Sequence, residues 1–541
     1  MTRIALVAVN AKYSHTNLAL LYLGAALRES ETVFELIEWD INRPGGELLE
    51  TISGGNYSHT VFSVYIWNSR YINDLISDLT QFIGRPVICA GGPEVTHNSR
   101  KWREVRGLDY ILDGPAEDFA GDLPELQITK TTVILKKDSN AFNKTHFPYD
   151  KEILSKLTGR LIYYEASRGC RFSCSYCLSA CGGNSVDYRS PDQIQKELAL
   201  LGTFPGTVKF VDRTFNANPA ISHLIWRHMA KNPPAGCFHF EIHPLLLERE
   251  DIDLLKALPP GSAQLEIGIQ STDPSVLKNV NRLGNWEAEK AVVEELIGEG
   301  LFHIHLDQIV GLPGDSPELA MVSLNEIMKT GPDNFQLGFL KVLPGTPLAL
   351  EMEKWGIKAS ASPPYEILES SSFSFADLRH FHRLEKLINT LYNSGFFKKT
   401  LVTLATLTGS WAELLCLIQE TGNPDLNCRR WEYWGDSILN LINHRYPEHL
   451  PLLTDLLRLD WCPYAGAQYY PDFLKYNEGD MISTMRKAAL ERIRKEQPQI
   501  GKSVLNRAIL FVPEHPELSK TVTTLFYTDA GRKIKNEIPD L

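Results

Sequence analysis

Twice along this chain, short apolar segments alternate with segments of helical spacing, and that alternation constrains the fold more than any other feature. The first run covers residues 1 to about 130. Ile4–Val9 is continuously apolar, as a strand covered on both faces must be. Asn17–Glu29 has helical spacing, and Val33–Glu38, Val61–Ile66, Pro86–Ala90 and Tyr110–Leu112 are further strand candidates. Gly91-Gly92-Pro93 and Gly114-Pro115 each follow such a strand. This order predicts a doubly wound parallel sheet with a ligand at the C-terminal strand edge. Any one of these glycines reads most simply as a turn closer; the set points to a site.

Residues 131–160 read as a linker. The second run, 161–355, has strand candidates at Leu161–Glu165, Val208–Val211, Phe238–Ile242, Ala263–Ile269, His303–Val310 and Asn334–Val342, with helices such as Pro191–Leu201 and Glu287–Glu299 between. Six strand–helix units predict a partial (β/α)6 barrel with its chemistry at the C-terminal strand ends. Beyond the linker SASPPYE, residues 356–541 read as a mainly helical domain of unknown role. Its candidates are Phe381–Leu391, Leu401–Gln419, Ser437–His444, Leu450–Leu457 and the basic Met485–Glu496, with a late strand pair at Arg507–Val512 and Val522–Tyr527.

Charge and apolar runs limit the partners. Fifty-five Lys and Arg against 66 Asp and Glu leave a net charge of −11, which argues against a whole-chain grip on nucleic acid. The apolar run Leu18–Leu27 falls short of the about 20 residues a bilayer needs. The opening MTRIALVAVNAKYSH reads as strand and loop rather than signal peptide, so the expectation is a cytoplasmic protein without a membrane partner.

The chemistry concentrates in Cys170-Arg-Phe-Ser-Cys174-Ser-Tyr-Cys177. Thiolates at this spacing can hold three irons of a cubane 4Fe–4S cluster and leave the fourth open to a substrate or cofactor. Zinc is the other reading, with Cys181 as a possible fourth ligand. His303, His305 and Asp307 alternate onto one strand face, as do His239, Glu241 and His243. They read as a polar ladder more than as a metal site, with His243, nearest a strand end, the best placed for substrate. Cys416, Cys428 and Cys462 lack ligand spacing, and the basic stretch Arg486–Lys502 reads as a solvated face.

The strand and loop EASRGCRFSCSYC resembles the cluster loop of the radical S-adenosylmethionine (SAM) superfamily, and the likeness extends over about 160–350. It implies that Cys170, Cys174 and Cys177 hold a 4Fe–4S cluster. It also implies SAM contacts from Tyr176, from Val211 and Asp212 in KFVDRTF, from Glu241 in HFEIHP, and from Gln270 in EIGIQS. Further contacts would come from Arg282 in VNR, Asp307 and Ile309 in DQIVGLPG, and Val342 in KVLPGTP. The first run resembles the Rossmann-like cobalamin-binding domain of the superfamily's methyltransferase-like class. That likeness places cobalamin against Asn10 and Ser14, against Ser63, Tyr65, Trp67 and Asn68 in VFSVYIWN, and against Gly91, Gly92, Pro93 and Glu94 in CAGGPEV. Gly114 is the last, in a Gly-Pro-Ala-Glu segment where the family shows Gly-Glu-Gly-Glu. The base-off D-x-H-x-x-G signature is absent. The C-terminal third resembles the uncharacterised helical domain that follows some of these proteins.

The resemblance implies a radical SAM enzyme cleaving SAM to a 5′-deoxyadenosyl radical, with cobalamin carrying methyl to a carbon of a small-molecule or peptide substrate. A flavodoxin or ferredoxin would supply electrons. The rivals are a rearrangement or ring contraction with or without cobalamin, and a non-catalytic iron–sulfur or RNA-binding protein.

Overall fold

The computed structural model describes residues 2–138, 142–181, 183, 185–421, 424–463, 470–477, 479–518, 523–529 and 532–538. Its first sheet has six parallel strands in the order Val33–Asp40, Arg3–Asn10, His59–Ser63, Val87–Gly91, Tyr110–Asp113 and Val133–Lys136. The central strand shows why a continuous apolar run was needed. Ala5, Val7 and Val9 enter the core on one face, while Ile4, Leu6 and Ala8 enter the core on the other. Strand order reverses between Arg3–Asn10 and His59–Ser63, the point where doubly wound sheets open a crevice for ligands.

Two expectations for this region need correction. The presumed linker 131–160 contains the sheet's sixth strand, Val133–Lys136, and the helix Lys151–Lys156 capped by the Asp150 side chain. Its apolar content, Val-Ile-Leu between polar neighbours, is too brief to register as a pattern. The strand expected over Val61–Ile66 ends at Ser63, because the chain turns at Tyr65. There the Asn68 side chain accepts from the Tyr65 amide and donates to the carbonyls of Val9 and Ser63.

The second sheet runs in chain order: Ile162–Tyr164, Thr207–Phe210, Cys237–Ile242, Ala263–Gln270, His303–Val310 and Asn334–Phe339. Helices Pro191–Leu201, Pro219–Lys231, Arg249–Lys256, Trp286–Glu299 and Pro317–Lys329 lie between the strands. This is the expected partial barrel. Pro191–Leu201 starts at a capping box between Ser190 and Gln193, which satisfies its first amides.

The chain divides into two compact units: Met1–Ser323 with Thr330–Pro332 and Gly338–Leu378, and Leu324–Lys329 with Asp333–Leu337 and Arg379–Leu541. Both sheets thus belong mainly to one unit. The second is largely helical. The stretch expected to run over Leu401–Gln419 is two helices, Lys398–Thr408 and Trp411–Glu420, because Gly409 adopts φ 75° and Ser410 caps the next helix. Ile509–Phe511, Thr524–Asp529 and Arg532–Glu537 form an antiparallel sheet; Val522, assigned to the late strand, lies outside the described residues. Among the described residues no single helix is long and apolar enough to cross a membrane.

Candidate active site at the cysteine loop

A short antiparallel hairpin, Ser167–Gly169 with Val186–Tyr188, closes the base of the loop that carries the cysteines. Within the loop, the Cys177 amide donates to Cys174 O at 3.0 Å and the Ser175 amide to Val280 O at 2.9 Å. The Leu348 amide donates to Ser175 O at 2.9 Å. Cys174 is buried, and burial pushes its thiol pKa up; Arg282 opposes this, while the nearby thiols of Cys177 and Cys170 add to it. The Cys181 thiol contacts the carbonyls of Gly345 at 3.4 Å and of Cys177 at 3.6 Å. Among the described residues, no three His, Cys, Asp or Glu side chains are grouped to hold a single ion.

Gln270 and Arg282, twelve residues apart, meet beside Cys174. The strand Ala263–Gln270 bulges between Gly268 and Gln270, and Gln270 takes φ 71°, a conformation that side chains rarely adopt. At Gly268 a Cβ would stand 2.2 Å from Gln270 Nε2, so a larger residue would displace the Gln270 amide. Arg282 donates from Nη2 to Gly268 O, and its Nη1 lies 4.0 Å from Cys174 Sγ. Gln270 Oε1 and Arg282 Nε are buried without partners. Buried polar atoms are normally satisfied, so two orphans beside three thiols fit a site that takes a polar ligand next to a cluster. Tyr176 lies within electrostatic reach of Arg282, its phenol pKa raised by burial.

The barrel interior is polar. Glu266 accepts from Lys209 at 2.6 Å and pairs with His239 at 2.8 Å, which holds its pKa near 2 against the opposing effect of burial. The rings of His303 and His305 are 4.6 Å apart and those of His239 and His305 are 5.6 Å apart, forming the expected ladder. Burial lowers His305 to about 4. Burial, with Glu266 and Glu241 nearby, raises Asp307 to about 8, and burial raises Glu241 too. Ile309 shares the Asp307 face. Sequence reasoning overlooked Lys209 and Glu266, although Glu266 shares the alternating face of Gln270 and that signal was available.

Other expected contacts are engaged elsewhere. The Asp212 carboxylate accepts from the Ala166 amide at 3.0 Å and Ser167 Oγ at 2.5 Å, so it braces the strand that feeds the loop; burial lifts its pKa to about 7. The Val211 amide donates to Tyr164 O and the Val342 amide to Tyr365 O. His243 is buried against Phe172, with Nε2 on Leu283 O and Nδ1 unpartnered; burial lowers its pKa to about 4.

In the N-terminal sheet, Ser63 Oγ is buried and unpartnered, and exposed Trp67 stacks on Tyr65 at 4.3 Å. Asn68 is spent on its turn. Buried Glu94 accepts from Tyr365 Oη at 2.5 Å and is not free for a corrin. Gly92, at φ 109°, is demanded by Val64 O, 2.6 Å from a would-be Cβ, and Gly114, at φ 142°, by Lys137 O at 2.3 Å. Gly91 has ordinary room, and Pro93 opens the helix Pro93–His97. Asn10 Nδ2 donates to His15 O, and Ser14 O accepts from the Leu161 amide.

A cationic clasp joins the N-terminal sheet domain to the hairpin. Arg168 donates to Glu117 at 2.6 Å and to Glu165 at 2.8 Å. Arg189 binds Glu197 at 3.1 Å, Tyr22 Oη at 3.0 Å and the carbonyls of Glu165 and Thr145. Both guanidinium groups lie over Phe142, at 4.5 and 4.7 Å. Glu117, from the segment compared with Gly-Glu-Gly-Glu, therefore holds the foot of the cysteine loop.

Comparison with known proteins agrees with this geometry. Residues 164–324 match the radical SAM superfamily, and 353–511 match a family described only as a protein of unknown function, DUF4080. A heme chaperone, HemW, of Mycobacterium tuberculosis is 31% identical over 178 residues, covering 32% of this chain and 38% of its own length. The chain thus spans about two-fifths of that relative. Among solved structures, the cobalamin-dependent SAM radical enzyme OxsB shares the fold at TM-score 0.58 and 14% identity, over 85% of this chain and 84% of its own. The radical SAM methyltransferase TsrM of Kitasatospora setae shares it at TM-score 0.53 and 16% identity, over 68% and 80%. With its cysteine loop at the mouth of a partial barrel and a doubly wound sheet before it, the chain carries a region, residues 164–324, that matches the radical SAM superfamily, and it shares its fold with OxsB and TsrM.

Proposed function

We propose that this protein is a cobalamin-dependent radical SAM enzyme that methylates a carbon of a small-molecule or peptide substrate. The observation that carries the reading is the meeting of Gln270 and Arg282, each with an orphaned buried atom, beside Cys174. Cys170, Cys174 and Cys177 would hold the cluster, which when bound supplies the electron that splits SAM into methionine and a 5′-deoxyadenosyl radical. Arg282 offers a fixed cation to a carboxylate, Gln270 an amide to a ribose, and Tyr176 an aromatic wall. Glu241 and Asp307, whose carboxyls make no ion pair within 4 Å among the described residues, suit the positive charge of SAM. The barrel walls keep water away, which a primary radical requires.

Cobalamin would supply a methyl carrier, with Trp67 and Tyr65 against the ring and Ser63 toward its tail. The order reversal in the sheet and the fold shared with OxsB and TsrM support this. A second reading, a radical SAM enzyme with an empty N-terminal domain, draws support from Gly92, Gly114 and Glu94, whose roles are accounted for without a ligand.

Anaerobic reconstitution with iron, sulfide, SAM and hydroxocobalamin tests both. The proposal expects corrin bands on the purified protein together with 5′-deoxyadenosine and S-adenosylhomocysteine. Cluster and 5′-deoxyadenosine without corrin favour the second reading; no 5′-deoxyadenosine under a strong reductant refutes both.

A further inference from the structure

We propose that Tyr365 is a positioning residue that joins the glycine turn of the corrin site to the segment after the last barrel strand, so that SAM and cobalamin are bound cooperatively. The inference rests on the function proposed above and adds a dependence of each cofactor's site on the other. Tyr365 is 5% exposed and takes φ 59°, a left-handed conformation that residues with a Cβ rarely adopt. Such a conformation persists only where its surroundings over-determine it. Here the surroundings come from both cofactor segments. The Tyr365 carbonyl accepts from the Val342 amide, in KVLPGTP, at 2.9 Å. Its hydroxyl donates to Glu94 Oε1 at 2.5 Å and accepts from Asn98 Nδ2 at 3.0 Å, in and just after the helix Pro93–His97.

Further contacts bind the same two segments and reach the cysteine loop. At Gly345, with φ 89°, a Cβ would stand 2.7 Å from His97 Nδ1, so the turn in KVLPGTP lies directly on the helix that follows the glycine turn. From the other side, the Leu348 amide donates to Ser175 O at 2.9 Å, and the Cys181 thiol meets Gly345 O. The stretch 342–348 is thus held between the glycine turn and the cysteine loop. Glu94 is buried, and its other donors are more distant, Asn98 Nδ2 at 3.3 Å and Ser69 Oγ at 3.4 Å. The Tyr365 hydroxyl makes the short bond to that carboxylate and so sets where the turn sits. SAM held against Val342 fixes the Tyr365 carbonyl, and through the ring and Glu94 it orders residues 91–94 before the corrin arrives. The ordering cost is then incurred once for both ligands, so the binding of each favours the other.

The test uses the full-length protein reconstituted with its cluster and left unreduced, so that no turnover occurs. Calorimetry should show SAM binding about tenfold tighter once hydroxocobalamin is bound, and hydroxocobalamin tighter by the same factor once SAM is bound, as linkage requires. In Tyr365→Phe the factor should fall to about twofold while each ligand alone keeps its affinity within about threefold, a pattern that mere loss of stability does not give. Amide exchange supplies a reading independent of the corrin. SAM alone should slow exchange of the Val95 and Thr96 amides, both bonded to Gly92 O at 3.1 Å, about tenfold in the parent and not in the variant. Independent binding of SAM and corrin in the parent, or a factor that survives Tyr365→Phe undiminished, overturns the link. A protein that takes up SAM but no corrin overturns the cobalamin reading instead, and amide exchange then decides the link by itself.

Discussion

Replacing Arg189 by methionine should loosen the cysteine loop more than any surface change in the unit. The Arg189 side chain is fully buried, and its ion-pair partner Glu197 is 8% exposed. Removing the guanidinium strands a buried carboxylate whose remaining donor is Tyr164 Oη at 2.7 Å. Breaking one side of a buried pair costs about 3–5 kcal/mol. At about 1.4 kcal/mol per factor of ten, hairpin opening should rise by two to nearly four orders of magnitude. Hydrogen exchange is the assay, since local opening governs amide protection. The amide to follow is that of Arg189 itself (residue 189 keeps an amide in the variant), bonded to Ala166 O at 3.0 Å, together with those of the hairpin. Adding Glu197→Gln keeps an acceptor for Tyr164 and removes the stranded charge. The double variant should therefore regain about 1–2 kcal/mol, a coupling typical of residues in contact. Protection within tenfold of the parent in Arg189→Met, or simple additivity in the double variant, would refute the argument that the clasp holds the loop.

Five further outcomes follow from the structure. Cys174→Ser should abolish cluster absorbance after reconstitution and all 5′-deoxyadenosine, and retention of either refutes the cluster assignment. Arg282→Lys should weaken SAM binding about ten- to a hundredfold by calorimetry, the worth of one charge-assisted hydrogen bond. Asp307 has a folded pKa raised to about 8, so its contribution to stability is complete below about pH 4 and is lost as pH rises through 8. The unliganded Asp307→Asn variant should accordingly melt higher than the parent at pH 8 and like it at pH 4; a pH-independent difference contradicts this. Gly92→Ala should destabilise the protein by about 1–3 kcal/mol without any corrin present, as strain at φ 109° requires, whereas Trp67→Ala should reduce corrin uptake with an unchanged melting temperature.

Much was legible because it is local. A continuous apolar run, a capping Ser190, a C-x3-C-x2-C loop and the polar ends of His303–Val310 each carry their signal within a few residues. The missed strand Val133–Lys136 is too short for a period to show, and the break at Gly409 was hidden in an apolar stretch. For the expected corrin contacts Asn68 and Glu94 residue type was legible, but their protein partners, Val9 O and Tyr365, lie 59 and 271 residues away and no local pattern announces them.

By itself the sequence determined the periodicities, and through them two parallel sheets and the three thiols that cap the second, because hydrophobic spacing and ligand spacing are properties of neighbouring residues. Only the tertiary structure decided which polar groups have partners. Asp212, Glu117 and Arg189 find theirs within the protein, while Gln270, Arg282 and Ser63 keep unsatisfied atoms. Hydrogen bonding and burial depend on what the fold brings from far along the chain, and no local pattern records that.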